Sequence, residues 1–133
     1  MTRREEAEYL LERSRRFFET AIIQIDRGFY DLAAFSLEQS IQLYLEACLL
    51  RLGVDYQRTH SVRKLLELIG NLSGREEVKE LLLRYAVEIG SLEDAYITSR
   101  YTGRDYSREE IERLKETVEE IMNVIRGILD KRS

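Results

Sequence analysis

The chain has no proline and no tryptophan, and its 133 residues include one cysteine, one histidine and seven glycines. Each shortage excludes something. With no proline, no segment is barred from a helix interior, and zero proline with 35% charged and 44% hydrophobic residues is the composition of an all-helical protein. The lone Cys48 excludes an internal disulfide. One cysteine and one histidine also rule against a zinc site, and helical Glu-x-x-His pairs of the di-iron type are missing. Neither metal nor cofactor is therefore expected. No run of about 18 apolar residues is present, so no membrane span is expected. The acidic net charge of −4 argues against a general nucleic-acid coat. Met1–Glu6 has no apolar stretch of the kind a signal peptide needs, which sets the expectation of a cytoplasmic protein. A Gly-rich phosphate loop is absent as well. Triad-like or Cys-His catalysis would have to use His60, and no local signature supports it, so no catalytic residue is assigned.

What is there is helical periodicity. The length suits one domain over residues 1–133, large enough to bury roughly two thirds of its unfolded surface. The stretch from Tyr30 to Gly53 carries two apolar stripes, one through Leu32, Phe35, Leu43 and Leu50 and one through Leu37, Ile41, Leu45, Cys48 and Leu52. A helix apolar on two sides is covered on both, which predicts a central helix buried by its own bundle and by a second subunit. Gln39 and Gln42 sit within this apolar surface and need partners if buried. Cys48 reads as a small buried hydrophobe.

The first helix spans about Thr2 to Arg27, with a Thr2–Glu5 capping box and a buried stripe of Ala7, Leu10, Leu11, Phe17, Phe18, Ala21, Ile22 and Ile25. Its arginines are interleaved with glutamates, the pattern of a solvated, ion-paired face. Gly28 ends it, and the short turn makes the second helix its antiparallel neighbour. After a connection from Val54 to Thr59, Thr59 or Ser61 caps a third helix running to about Leu72. His60 thus lies at a helix N-terminus, where the dipole favours anions. It either fills the loop or contacts a ligand. After the break at 70–74, Ser73 with Glu76 predicts a second capping box opening a fourth helix through Val78, Leu81, Leu82, Tyr85, Ile89, Leu92 and Tyr96, interrupted at Gly90. The loop from Thr98 to Tyr106 holds Arg100, Tyr101, Arg104 and Tyr106, residues that can clasp phosphate or stack on a base, or else close the bundle end and pair with Asp105 and Glu109. A Ser107–Glu110 box opens a fifth helix to about Leu129, with Ile111, Leu114, Val118, Ile121, Met122, Ile125 and Ile128 inward. The fold expected is all-α, an up-and-down four-helix bundle with an additional short helix.

Three stretches together resemble the HEPN domain family. The first is Phe35-Ser36-Leu37-Glu38-Gln39-Ser40-Ile41-Gln42-Leu43-Tyr44-Leu45-Glu46-Ala47, against a family pattern of an aromatic, three residues, Gln-Ala-x-Glu, three residues, Lys-Ala. The others are Thr59-His60-Ser61-Val62 at the start of the third helix and Arg100-Tyr101-Thr102 at the end of the fourth. Gln42 and Glu46 stand where the family often has Glu and Lys, and Thr102 where it has proline. The arginine that precedes the histidine by a four- to six-residue gap in HEPN ribonucleases is absent, because positions 53–55 hold no arginine. The resemblance therefore implies a non-catalytic nucleotide-binding domain with His60, Arg100, Tyr101, Arg104 and Gln39 at the site. It also implies a homodimer and a minimal nucleotidyltransferase as partner in a toxin–antitoxin-like module. The alternatives are a divergent metal-independent ribonuclease acting on RNA through His60 and Arg100, and a purely structural interaction module.

Overall fold

The computed structural model describes residues 1–55, 59–101 and 103–132, without the side chains of Ser99, Arg100, Tyr101 and Arg132. Tyr56, Gln57 and Arg58 of the expected connection, Thr102 and Ser133 lie outside the described residues. Among those described there are six helices and no strand: α1 (Arg3–Asp26), α2 (Tyr30–Arg51), α3 (Val62–Ser73), α4 (Glu76–Arg84), α5 (Ala86–Tyr101) and α6 (Arg108–Arg132). They pack as a helical bundle about α2, which touches α1, α3, α5 and α6. No described helix is long and apolar enough to cross a membrane.

The α1–α2 hairpin starts with the Thr2–Glu5 capping box, in which hydroxyl and carboxylate each satisfy the other's backbone N–H. Gly28 ends α1 at φ +77°, where the Phe29 amide reaches back to the Gln24 carbonyl and the Gly28 amide to Ile25. That paired closure needs a left-handed residue, which glycine adopts without a Cβ clash. Gly53 closes α2 the same way. The hairpin register is visible along its length. Ser36 donates to Gln24, Ser14 and Ser40 each donate a hydroxyl hydrogen to the other's carbonyl, and Arg3 reaches Gly53 and Asp55. Of the expected α1 stripe, Ala7, Leu10, Ala21 and Ile25 are buried and Leu11, Phe17 and Phe18 half-buried, but Ile22 is exposed. Arg15 bridges Glu12 and Glu19 on the outer face, as the charge interleaving predicts.

The second stripe of α2 is largely covered within the chain, whereas on the first Leu50 is buried, Phe35 and Leu43 are half-buried and Leu32 is exposed. Leu37, Ile41, Leu45 and Leu49 are completely buried and Cys48 nearly so. Each large side chain contributes about 1.5–3 kcal/mol by leaving water. The second stripe therefore does not call for another subunit, because α5, α6 and α3 cover the side of α2 that α1 leaves. Burial pushes the Cys48 thiol up to about 12, as fits a packing residue.

The expected fourth helix is two. Tyr85, at φ −109° and ψ 25°, separates α4 from α5, while Gly90 lies inside α5 with open space where a Cβ would be. Val78 of α4 faces Gly70 of α3, and Val78 and Leu81 share one core with Ile89, Leu92 and Ala95 of α5, the helix that lies on α2. The Ser73–Glu76 box does not form either. Ser73 is still part of α3, so Arg75 becomes the N-cap of α4 without a side-chain cap bond. The Ser107–Glu110 box does form, and α6 buries Ile111, Leu114, Val118, Ile121, Ile125 and Ile128, with Met122 half-buried.

Candidate functional site

On α2, Phe35, Glu38, Gln39, Gln42 and Glu46 follow helical spacing and share one side. Against that side lie the segment entering α3 and the middle of α5. The entry segment is tied down from four directions. Thr59 Oγ1 accepts the Ser61 amide at 3.1 Å, and the Gln42 amide nitrogen donates to the Thr59 carbonyl at 2.9 Å. Ser61 caps α3 by accepting the Lys64 amide at 3.2 Å. Glu93 of α5 accepts both the Ser61 hydroxyl and the Arg63 amide. The anion that the α3 N-terminus attracts is thus the protein's own carboxylate.

His60 is exposed on this scaffold. Its ring lies against Tyr96 with centroids 3.6 Å apart and planes inclined by 17°, and Phe35 stacks beyond Tyr96 at 6.4 Å. His60 Nδ1 is 3.2 Å from Gln42 Oε1. On the same side of α2, Glu38 is fully buried, with one oxygen accepting from Gln39 at 2.7 Å and the other without a hydrogen-bond partner among the described residues. Burial pushes its carboxyl up to about 8, with Glu46 and Glu93 adding to the rise and the Gln39 bond opposing it.

The five residues named from the sequence do not all meet. His60 joins Gln42 and Tyr96. Gln39 is half-buried and bonds Glu38. Arg100 and Tyr101 end α5, but their side chains are outside the described residues. Arg104 bonds Ser91 at 3.4 Å and Glu110 at 3.1 Å, its guanidinium 4.4 Å above the centre of the Tyr106 ring. Ser91 and Tyr96 are five residues apart, about 140° around α5, so Arg104 is held on a different face from His60. Tyr106 is buried in the core, and Arg104 pairs with Glu110 in place of the expected Asp105 or Glu109.

Arg104 instead lines an open groove of about 710 Å³ with Arg84, Arg113, Glu88, Asp94 and Glu110, where acidic and basic groups are balanced. Two smaller clefts lie at the α3–α4 corner and between α1 and α6. Among the described residues no group of three or more His, Cys, Asp or Glu side chains is placed to hold a metal ion. Of the other members of the His60 cluster, the sequence singles out Gln42 as a polar residue inside an apolar helix and shows Tyr96 as one more position along the fourth helix, while nothing in it marks Glu93.

Chemically, the cluster offers a fixed, exposed imidazole on an aromatic support, with a neutralised buried carboxyl on the same side of α2. No curated protein matches this chain. A family model described as the HEPN domain matches residues 7–128, which takes in all of the elements that build the cluster. The chain belongs to the HEPN domain family.

Proposed function

We propose that this HEPN domain binds a nucleotide without turning it over, at the exposed His60–Tyr96 pair. The observation that carries the reading is the His60 ring itself, solvent-facing yet fixed by Gln42 on one edge and Tyr96 on one face. A ring held this way is a stacking platform for a base, since its outer face loses little freedom when a second ring covers it. Arg63 and Lys64, exposed on the first turn of α3, and Arg100 at the end of α5 supply cations for phosphates. Gln39 bonds Glu38, and Tyr101, next to Arg100 in the sequence, is the further aromatic residue of this reading. Arg104 enters this reading as a bundle-closing residue.

In this reading the domain is a single up-and-down bundle. It acts in the cytoplasm as a homodimer and as the partner of a minimal nucleotidyltransferase in a toxin–antitoxin-like module, the setting that HEPN membership suggests. The absence of the ribonuclease arginine–histidine spacing supports a binding role over cleavage.

A thermal-shift panel of nucleotides and short RNA tests it. A ligand specific to the folded state adds about 2.7 kcal/mol at a hundred times its dissociation constant. The expected result is a raised melting point that disappears in His60→Ala and in Arg100→Ala. No shift with any nucleotide at saturation overturns the reading. Metal-independent RNA cleavage by the wild type, lost in His60→Ala, would replace it with the ribonuclease alternative.

A further inference from the structure

We propose that Gln42 fixes His60 as the tautomer protonated on Nδ1, so that its Nε2 meets a bound nucleotide as a hydrogen-bond acceptor for the ribose 2′-hydroxyl, and not as a phosphate contact. This assignment rests on the nucleotide-binding reading for its ligand, but not for its tautomer.

The argument runs through hydrogen-bond roles. The Thr59 carbonyl oxygen can only accept, so the Gln42 atom 2.9 Å from it is the amide nitrogen. The same nitrogen points at the Glu46 carboxylate at 3.5 Å, another acceptor. With both directions of the NH2 group used, the atom left facing His60 is Oε1, which carries no proton. His60 Nδ1, 3.2 Å away, must therefore be the donor. A neutral imidazole carries one proton, so Nε2 keeps its lone pair. No described residue takes Nε2, and the ring is exposed.

An acceptor nitrogen repels a phosphate oxygen and attracts an O–H or N–H. The α3 N-terminus points the same way. Two of the three first-turn amides are already used, Arg63 by Glu93 and Lys64 by the Ser61 hydroxyl. Phosphate recognition falls to the cationic side chains, and His60 Nε2 reads the sugar. Gln42 is a positioning residue: it acts on the ligand only through the ring it orients.

Nitrogen-15 NMR of the histidine ring tests the tautomer on the free protein, at a pH where the ring is neutral. A protonated Nδ1 with a bare Nε2 is expected in the wild type. Gln42→Leu, which offers no acceptor, should give a tautomer mixture. Gln42→Glu, which still accepts from Nδ1, should keep the wild-type pattern, and because both variants give up the amide donor to Thr59, a melting curve of each separates lost folding from lost orientation. A wild-type ring protonated on Nε2, or a tautomer indifferent to both substitutions, overturns the proposal.

The ligand half is tested with ATP, 2′-deoxy-ATP and ITP. On binding ATP, Nε2 should move yet stay unprotonated. Loss of the 2′-hydroxyl should weaken binding about tenfold, whereas loss of the base amino group should not, because a base stacked on the ring face lies outside the plane of the Nε2 lone pair. Protonation of both ring nitrogens on binding, or equal affinity for ATP and 2′-deoxy-ATP, overturns the acceptor role. No binding of any nucleotide overturns the ligand assignment together with the functional reading, while the free-protein tautomer stands or falls by its own spectrum.

Discussion

Glu93 on α5 accepts the Ser61 hydroxyl at 3.2 Å and the Arg63 amide at 3.0 Å, so the first turn of α3 is capped from a neighbouring helix. Ser61 and Arg63, the residues that follow His60 on either side of Val62, are held through that link. Glu93→Ala should destabilise the fold by about 1–3 kcal/mol in urea unfolding, the cost of losing a charged hydrogen-bond acceptor at a helix end. Amide exchange should accelerate most at Arg63 and in the turns around His60. A loss spread evenly over α1 and α6 would show that Glu93 is a general surface contributor.

Glu38 ties stability to pH. Its carboxyl is held at about 8 in the folded chain, by burial first and by Glu46 and Glu93 next, against an ordinary value of 4.5. Below about pH 4.5 it is neutral whether the chain is folded or not. Between about 4.5 and about 8 the unfolded chain releases the proton and the folded chain keeps it, so stability falls as pH rises. The whole fall from this group is roughly 4–5 kcal/mol at most. Glu38→Gln should flatten the stability profile across that window and be more stable than wild type above about pH 8. Parallel profiles for the two proteins would contradict the assignment.

Ser14 and Ser40 lock α1 to α2 by exchanging hydroxyl-to-carbonyl bonds of 2.6 and 2.9 Å in a fully buried contact. Either serine to alanine should cost about 1 kcal/mol. The double variant should cost less than the sum, because the two hydroxyls also lie 3.4 Å from each other. Ser40→Val should cost about 1–3 kcal/mol by wedging the helices apart. Denaturation of the four proteins closes the cycle.

Two helical glycines should respond oppositely to alanine. A Cβ on Gly90 meets nothing within 4 Å, so Gly90→Ala should gain about 1 kcal/mol from helix propensity and raise the melting point by a few degrees. A Cβ on Gly70 would lie 3.1 Å from Val78 Cγ1, and Val78 is buried and stiff at its branched carbon. Gly70→Ala should therefore show no such gain, or a loss as α3 and α4 are pushed apart. Thermal melts of both variants decide it.

The sequence by itself determined the helical class, the αα-hairpin at Gly28, the boxes at Thr2 and Ser107 and the burial of α2, because these depend on local chemistry and on a period of 3.6 residues. It also pointed to His60, as the single histidine at a helix start, within a recognisable family pattern. The break at Tyr85 was not legible, since Val78, Leu81, Tyr85, Ile89, Leu92 and Tyr96 keep one uninterrupted helical period across it. What differs across it is tertiary: α5 lies on α2, while Val78 of α4 lies on Gly70 of α3. The same holds for the site. Only packing brings Tyr96 and Glu93 to a loop more than thirty residues earlier, and only packing turns Arg104 toward Ser91 and away from His60. Spacing along a chain reports which residues share a helix face. Which faces meet is decided by how the apolar stripes of all six helices are buried at once.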